Sequence, residues 1–436
     1  MEPLTLIPPH APRRHGWLAA ALAVVVLAVG VVPATAAPTA PVPAAAPAPL
    51  PDPDVLDARL RKVSDKGIGS LGSIVTTTDG QVLAARSADT PLIPASTMKV
   101  LTTMAALDTL GADRSFVTSV VRVAPGRIVL VGGGDPMLTD KTSTADYRPA
   151  SLQKLAKATA SALKAAGRTS VALRYDADLF SGPTFNPEWK AKWRGWEGRV
   201  AALEINSGKL AGGRAAANPA RNAANAFARR LRTAGITVTS VAAGDATAGP
   251  TELAQVRSAT VARIIKRTLR VSDNVAAETL SRHAAVVAGR SGSFKGAAAN
   301  LTTWLDAHGL WADGQRILDG SGLAPGSRLT PRALAAAIRL ALAEAEFAPI
   351  IDGLPVAGES GTLKSRFDDP SEKAGRHTVH AKTGTLSGVA GLAGYLTTAD
   401  GAVLVFAELA NKATSYYRAY DWLDREAAVV AGCGCR

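Results

Sequence analysis

A serine followed three residues later by a lysine is the first chemistry this chain offers. In Pro94-Ala95-Ser96-Thr97-Met98-Lys99 a small turn feeds Ser96 onto the start of a helix. Lys99 returns to the same face one turn on, which sets an amine beside a hydroxyl. A free serine is a weak nucleophile and needs a neighbouring base. A lysine serves as that base only where burial or another cation keeps part of it neutral near pH 7. A helix N-terminus at Ser96 also aims backbone N–H groups and positive dipole at a developing oxyanion.

The same spacing recurs at Ser151/Lys154 and Ser161/Lys164. Those pairs sit in an amphipathic pattern that ends at Gly167 and reads as an ordinary surface helix. Ser96 differs because Val100, Leu101, Met104, Ala105 and Leu107 form an apolar stripe that would bury its helix. Two further triplets follow in order, Ser272-Asp273-Asn274 and Lys382-Thr383-Gly384. Alone, the first is a good turn and the second a good strand edge. Together with Ser96 and Lys99 they supply three hydroxyls, two amines, a carboxylate and an amide.

The elements that must position these groups are legible in outline. A short helix is expected over 55–63 and a hairpin over Ser70–Arg86, turning at Asp79-Gly80. A second strand pair surrounds Pro125-Gly126, and its end at Gly132-Gly133-Gly134-Asp135-Pro136 lacks the Gly-Lys-Ser/Thr of a phosphate loop. A helix over 151–166 and a strand over 170–175 follow, while 211–226 gives no clear pattern. Trp189, Trp193 and Trp196 suggest an aromatic cluster over a loop. Helical periodicity dominates from about 252, with Thr330-Pro331 opening one helix as cap and first residue. A hairpin over 389–409 and a helix from Tyr416 to about Val430 close the chain.

Composition narrows the class. The chain has 436 residues, 47% hydrophobic and 19% charged, enough for several domains. The net charge of +13 is spread along it with no basic run interleaved with aromatics, which argues against a nucleic-acid binder. The two cysteines, Cys433 and Cys435, lie in the last four residues and exclude a disulfide framework. An unstructured tail is expected there, with a small disulfide as the alternative. His377-x-x-His380 offers no ligand geometry, so neither a metal nor a cofactor is expected.

At the start, Arg13-Arg14-His15, the apolar run Trp17–Val32 and the Ala-x-Ala pattern before Ala37 read as a cleaved signal peptide. The alternative is an uncleaved membrane anchor within residues 17–36. Either places the body outside the cytoplasm. Eight prolines in 33–53 make an extended tether.

The ordered triple is the known signature of penicillin-binding proteins and class A β-lactamases. The chain resembles the low-molecular-mass class C penicillin-binding proteins, the D-alanyl-D-alanine carboxypeptidase/endopeptidase branch. Gly134-Asp135-Pro136, Val275-Ala276-Ala277-Glu278 after the Ser-Asp-Asn, Asp319-Gly320-Ser321-Gly322-Leu323, Leu354-Pro355-Val356-Ala357-Gly358 and Gly361-Thr362-Leu363 extend the likeness over about 54–428. The resemblance implies an α+β, β-lactamase/transpeptidase-like fold. Its five-stranded antiparallel sheet would draw strands from both ends of the chain, with helices on both faces, a helical subdomain bearing Ser272, and an inserted domain. The implied organisation is 1–36 signal or anchor, 37–53 linker, 54–114 with 251–430 the transpeptidase-like domain, 115–250 the insertion and 431–436 a tail.

The resemblance also implies roles. Ser96 would be acylated and Lys99 its base. Ser272 and Lys382 would relay a proton to the leaving amine, and Asn274 would hold substrate and orient Lys99. Lys382 and Thr383 would meet the terminal carboxylate, beside Gly384, and Thr385 would share the oxyanion hole with Ser96. Asp176, in Tyr175-Asp176-Ala177-Asp178, would meet the free amine of a diamino acid. Ser387 stands where some relatives carry glutamine. The partners implied are the peptidoglycan stem peptide and, as inhibitors, β-lactams. A β-lactamase, a non-catalytic penicillin-sensing or wall-binding module, and a transpeptidase are the rivals. No Glu-x-x-Leu-Asn pattern lies between Ser272 and Lys382 to supply a β-lactamase's deacylating acid.

Overall fold

The computed structural model describes residues 48–195, 197–246 and 250–435. The proposed leader, most of the tether and Trp196 lie outside them.

In chain order the first elements are α1 (Pro53–Leu60), β1 (Ser70–Thr77), β2 (Val82–Arg86), α2 (Met98–Leu110), β3 (Val117–Ala124) and β4 (Arg127–Val131). Then come α3 (Leu152–Ala165), β5 (Ser170–Asp176), α4 (Pro219–Thr233), β6 (Thr237–Ala243) and β7 (Thr251–Arg257). Helices α5 (Val261–Val271), α6 (Asn274–Val287), α7 (Phe294–Ala307), α8 (Pro331–Ala343) and α9 (Ala348–Gly353) follow. The chain closes with β8 (Val379–Leu386), β9 (Val389–Thr397), β10 (Val403–Asn411) and α10 (Tyr416–Ala431).

The first sheet has the order β2-β1-β10-β9-β8 and is antiparallel throughout. Its strands come from both ends of the chain, as expected. Alternation along β10 explains its place at the centre. Leu404 and Phe406 face α1 and α10, with Trp422 and Leu423. Val405, Ala407 and Leu409 face the other way, into a core shared with α2, α5 and α8. A strand covered on both faces reads as a nearly continuous apolar run. Thr330 caps α8 by accepting from the Ala333 N–H, and Pro331 is the first helical residue.

The second sheet has the order β6-β5-β4-β3-β7, with β4–β5 and β5–β6 parallel and the other pairings antiparallel. Helices α3 and α4 pack on it through Leu155, Leu163, Phe227 and Leu231. Three features differ from the expectation. Residues 211–226, which carry no clear pattern, contain the start of α4, capped by Asn218. The sheet's edge strand β7 pairs with β3, so this sheet runs past residue 250. The C-terminal tail is not loose: Cys433 and Cys435 are buried with α1 and α10 and joined as a disulfide. The Asp52 N–H donates to the Cys435 carbonyl at 2.8 Å, and Asp52 caps α1, so the tether ends before residue 52.

Among the described residues, no helix is long and apolar enough to cross a membrane.

Candidate active site

The turn carrying Ser96 is built by close approach. Ala95 is left-handed (φ 47°) and buried, and the 3-10 turn Ala95–Thr97 then delivers Ser96 to the first turn of α2. Two glycines make room for it. A Cβ on Gly322 (φ 79°) would lie 1.9 Å from the Ala95 carbonyl oxygen. A Cβ on Gly384 would lie 2.6 Å from the Pro94 carbonyl oxygen and 3.2 Å from the Ser96 nitrogen. The 319–323 turn and β8 therefore press against the nucleophile turn, which no larger residue would permit.

Lys99 is fully buried one turn along α2. Its Nζ lies 2.8 Å from Ser96 Oγ, 2.7 Å from Asn274 Oδ1 and 2.7 Å from the Ser321 carbonyl. These three acceptors match the three protons of an ammonium. Burial pulls its pKa down to about 8, and the carboxylates of Asp319, Glu278, Glu197 and Asp273 hold it from falling further. Glu278 and Asp319 are themselves fixed by backbone. Glu278 accepts the Gly320 and Ser321 N–H groups at 3.1 and 2.8 Å. Asp319 accepts from Gly322 and Ala324 N–H and from Trp189 Nε1, the last at 2.8 Å. Burial and the Asp319 charge raise Glu278 to about 7. Trp189 and Trp193 pack with Phe185, Val275 and Phe294 in an aromatic cluster.

The Ser-Asp-Asn triplet links two helices. Ser272 is left-handed (φ 58°) and ends α5, Asp273 caps α6 through the Ala276 N–H, and Asn274 is the first residue of α6. Asn274 Nδ2 donates to Glu197 Oε2 at 3.1 Å. With Lys99 on its oxygen and a carboxylate on its nitrogen, the amide has one orientation. Glu197 is buried, and burial raises its pKa. Sequence reasoning missed it, because a lone acid in an irregular stretch carries no pattern.

Lys382 is fully buried on β8, with Nζ 2.9 Å from Ser272 Oγ and 2.8 Å from the Thr383 carbonyl. Burial and then the Lys99 charge push its pKa well below the usual lysine range. Thr383 Oγ1 is 2.8 Å from Thr362 Oγ1, and the Thr385 hydroxyl is bonded to the Tyr420 hydroxyl of α10. Ser387 is exposed in the β8–β9 turn.

Asp176 lies elsewhere, at the end of β5. Its two carboxylate oxygens accept the Asp178 and Ala246 N–H groups at 3.0 and 3.3 Å. No hydrogen bond among the described residues joins it to Ser96, Lys99 or Lys382. The other Ser-x-x-Lys pairs are structural: Ser151 caps α3, and Ser161 and Lys164 are exposed on it. Among the described residues, no three His, Cys, Asp or Glu side chains gather to hold a metal. His377 lies near Glu359, and His380 stacks on Tyr395.

A five-stranded sheet beside a paired Ser-x-x-Lys, a Ser-Asp-Asn and a Lys-Thr-Gly strand defines the penicillin-binding class of serine acyltransferases. The D-Ala-D-Ala carboxypeptidase 3 (S13) family model matches residues 56–212 and 202–425, and the chain belongs to that family. It is 35% identical over 389 residues to a carboxypeptidase of Mycobacterium tuberculosis, covering 85% of this chain and 82% of the relative. It is 35% identical over 379 residues to carboxypeptidase DacB of Mycolicibacterium smegmatis, with 84% and 80% covered. Penicillin binding protein 4 (dacB) of Haemophilus influenzae shares the fold, with a TM-score of 0.73 at 20% identity over 84% of this chain and 97% of that one. The protein is thus a serine-type D-Ala-D-Ala carboxypeptidase, and the β-lactamase alternative falls away.

Proposed function

We propose that the protein trims peptidoglycan stem peptides outside the cytoplasm through an acyl-enzyme on Ser96. The observation that carries this reading is the Lys99 amine, buried and 2.8 Å from Ser96 Oγ, with the Ser272–Lys382 pair beside it. Neutral Lys99 takes the Ser96 proton as Oγ attacks the carbonyl between the two D-alanines. The oxyanion is held by the Ser96 and Thr385 N–H groups, where a lost donor costs about 10²–10³ in rate. The proton that Lys99 took from Ser96 passes through Ser272 and Lys382 to the departing amine, so D-alanine leaves and Lys99 is neutral again. Water then attacks the ester, Lys99 accepts its proton, and Ser96 Oγ is reprotonated as the shortened peptide departs.

Asn274 orients Lys99 and the substrate backbone, and Glu197 holds the Asn274 amide. Thr383 and Lys382 receive the terminal carboxylate, which also answers the missing counter-charge at Lys382. Gly384 keeps β8 close to the nucleophile. Asp176 is assigned to the free amine of a diamino acid, since its oxygens retain acceptor capacity beyond the two loop bonds. A β-lactam would mimic the dipeptide and leave a slowly hydrolysed ester on Ser96. Residues 1–36 would export the chain, with membrane attachment through 17–36 if the leader is retained.

The test is labelling of the purified protein with a fluorescent penicillin beside Ser96→Ala, followed by D-alanine release from a pentapeptide. A lasting adduct that needs Ser96, together with released D-alanine, is the expected result. An adduct that decays within seconds, or none at all, would overturn it.

A further inference from the structure

The Thr385 N–H, one of the two oxyanion donors in the reading above, stands where a sheet holds a residue least. Strand β8 ends the order of the first sheet, beside β9. Thr385 pairs with Ala390, one step from the Leu386–Val389 pair that closes the hairpin at Ser387-Gly388. On the outer edge of β8 the Ala381 N–H donates to the Pro355 carbonyl at 3.0 Å, so it points away from β9. Backbone direction repeats at every second residue of a strand, so the Thr385 N–H points the same way, out of the ladder. A residue at the end of an edge strand, with its N–H outside the ladder, opens at low cost. Something beyond the sheet must hold it.

Helix α10 supplies that hold. Side chains alternate along β8: a Cβ on Gly384 would face Pro94 and Ser96, whereas Ala381 packs with Trp422 and Leu423 of α10. Thr385, four residues beyond Ala381, shares its face, and the Thr385 hydroxyl is bonded to the Tyr420 hydroxyl. The phenol is itself fixed. Tyr416, Tyr420 and Asp424 follow at four-residue spacing on one face of α10. Asp424 accepts two hydrogen bonds from the Arg366 guanidinium, at 3.0 and 2.5 Å, and both side chains are buried. That guanidinium lies 4.2 Å from the centre of the Tyr420 ring, and the Tyr416 ring is 4.1 Å from it. A planar cation on an aromatic face adds attraction as well as shape. We infer that Tyr420 is a positioning residue for the oxyanion hole, holding Thr385 through its hydroxyl so that the Thr385 N–H stays aimed at the scissile carbonyl. This rests on the proposed peptidase reading. The phenol acts through Thr385 and touches no reacting atom, so its removal costs less than the loss of an oxyanion donor.

The test compares wild type with Tyr420→Phe, Thr385→Val and the double variant. Each is assayed on a D-alanyl ester substrate and on its thiono counterpart, in which sulfur replaces the reacting carbonyl oxygen. Sulfur is a weak acceptor, so the thiono substrate draws little from the oxyanion hole. Tyr420→Phe keeps the ring on Arg366 and removes one oxygen. It should lose between about threefold and tenfold in kcat and in kcat/KM alike on the oxygen ester, as expected for a contact realised only in the transition state. The thiono substrate should lose little, so the oxygen-to-sulfur rate ratio falls by the same factor. Thr385→Val should match it, and the double variant should be no slower than either single one, because all three remove the same bond. A lowered urea midpoint with unchanged rates would overturn the proposal and leave the pair a structural contact. Equal losses on both substrates, or losses that multiply in the double variant, would overturn it as well. Wild type that neither takes the penicillin label nor releases D-alanine would overturn the peptidase reading, and the role of Tyr420 with it.

Discussion

Helices α2 and α3 both begin near a serine with a lysine three residues on, yet only α2 joins the two side chains. At α3, Ser151 is extended and its hydroxyl accepts the Lys154 backbone N–H at 3.3 Å, while the lysine side chain is exposed. At α2, the left-handed Ala95 and the 3-10 turn place Ser96 inside the helical path, so its hydroxyl meets the Lys99 side chain. The first serine is a cap. The second sits beside an amine that burial has brought to about 8. Spacing alone decides neither outcome. The turn before the serine and the surroundings of the lysine do.

The largest expected effect tests that contrast directly. Lys99→Met should slow penicillin acylation by about 10²–10⁴, the usual worth of general acid–base catalysis, while Lys154→Met should leave it unchanged in the same stopped-flow assay. Equal rates for Lys99→Met and wild type would remove the distinction between the helices. Next in size is the packing that sets the Ser96 turn. Gly322→Ala would drive a Cβ onto the Ala95 carbonyl and should cost about 1–3 kcal/mol in urea unfolding, with acylation falling too. An unchanged midpoint and rate would show that this close approach is dispensable.

The pH profile sharpens the comparison further. The base must be unprotonated, so acylation should rise with pH through about 8, where Lys99 loses its proton. Glu197→Gln keeps an acceptor for Asn274 but removes a charge that favours protonated Lys99, so that midpoint should move to lower pH. A midpoint that stays put would detach Glu197 from the amine. The smallest effect belongs to α3. Ser151→Ala should cost about 1 kcal/mol of stability through the lost cap, with no change in acylation.

The groups held in short motifs were legible in the sequence because their neighbours in the chain also place them in space. Ser96 and Lys99 share one helical turn, and Ser272 to Asn274 span one helix junction. The first sheet was legible for a related reason, since its hairpins have clear turns and apolar cores. The rest depends on distant pairing. Glu197 reaches Asn274 across 77 residues of chain. Strands β6 and β7 are largely exposed, so no alternation betrays them. Helix α4 is alanine-rich, and its buried stripe of Ala220, Ala223, Phe227 and Leu231 offers little contrast, though Asn218-Pro219 does mark its start. The buried cysteines pack against α1 and α10, a pairing of the two chain ends that composition cannot reveal.

The order of strands in the first sheet has a consequence in time. A chain is made from its N-terminus, so β1, β2, Ser96 and Lys99 emerge early. They wait for β10 to cover the open edge of β1 and for β8 to bring Lys382. The complete site therefore closes only after β8 and β10 have been made. The order of synthesis leaves an unfinished copy without the Lys382–Ser272 pair on which proton delivery to the leaving group depends.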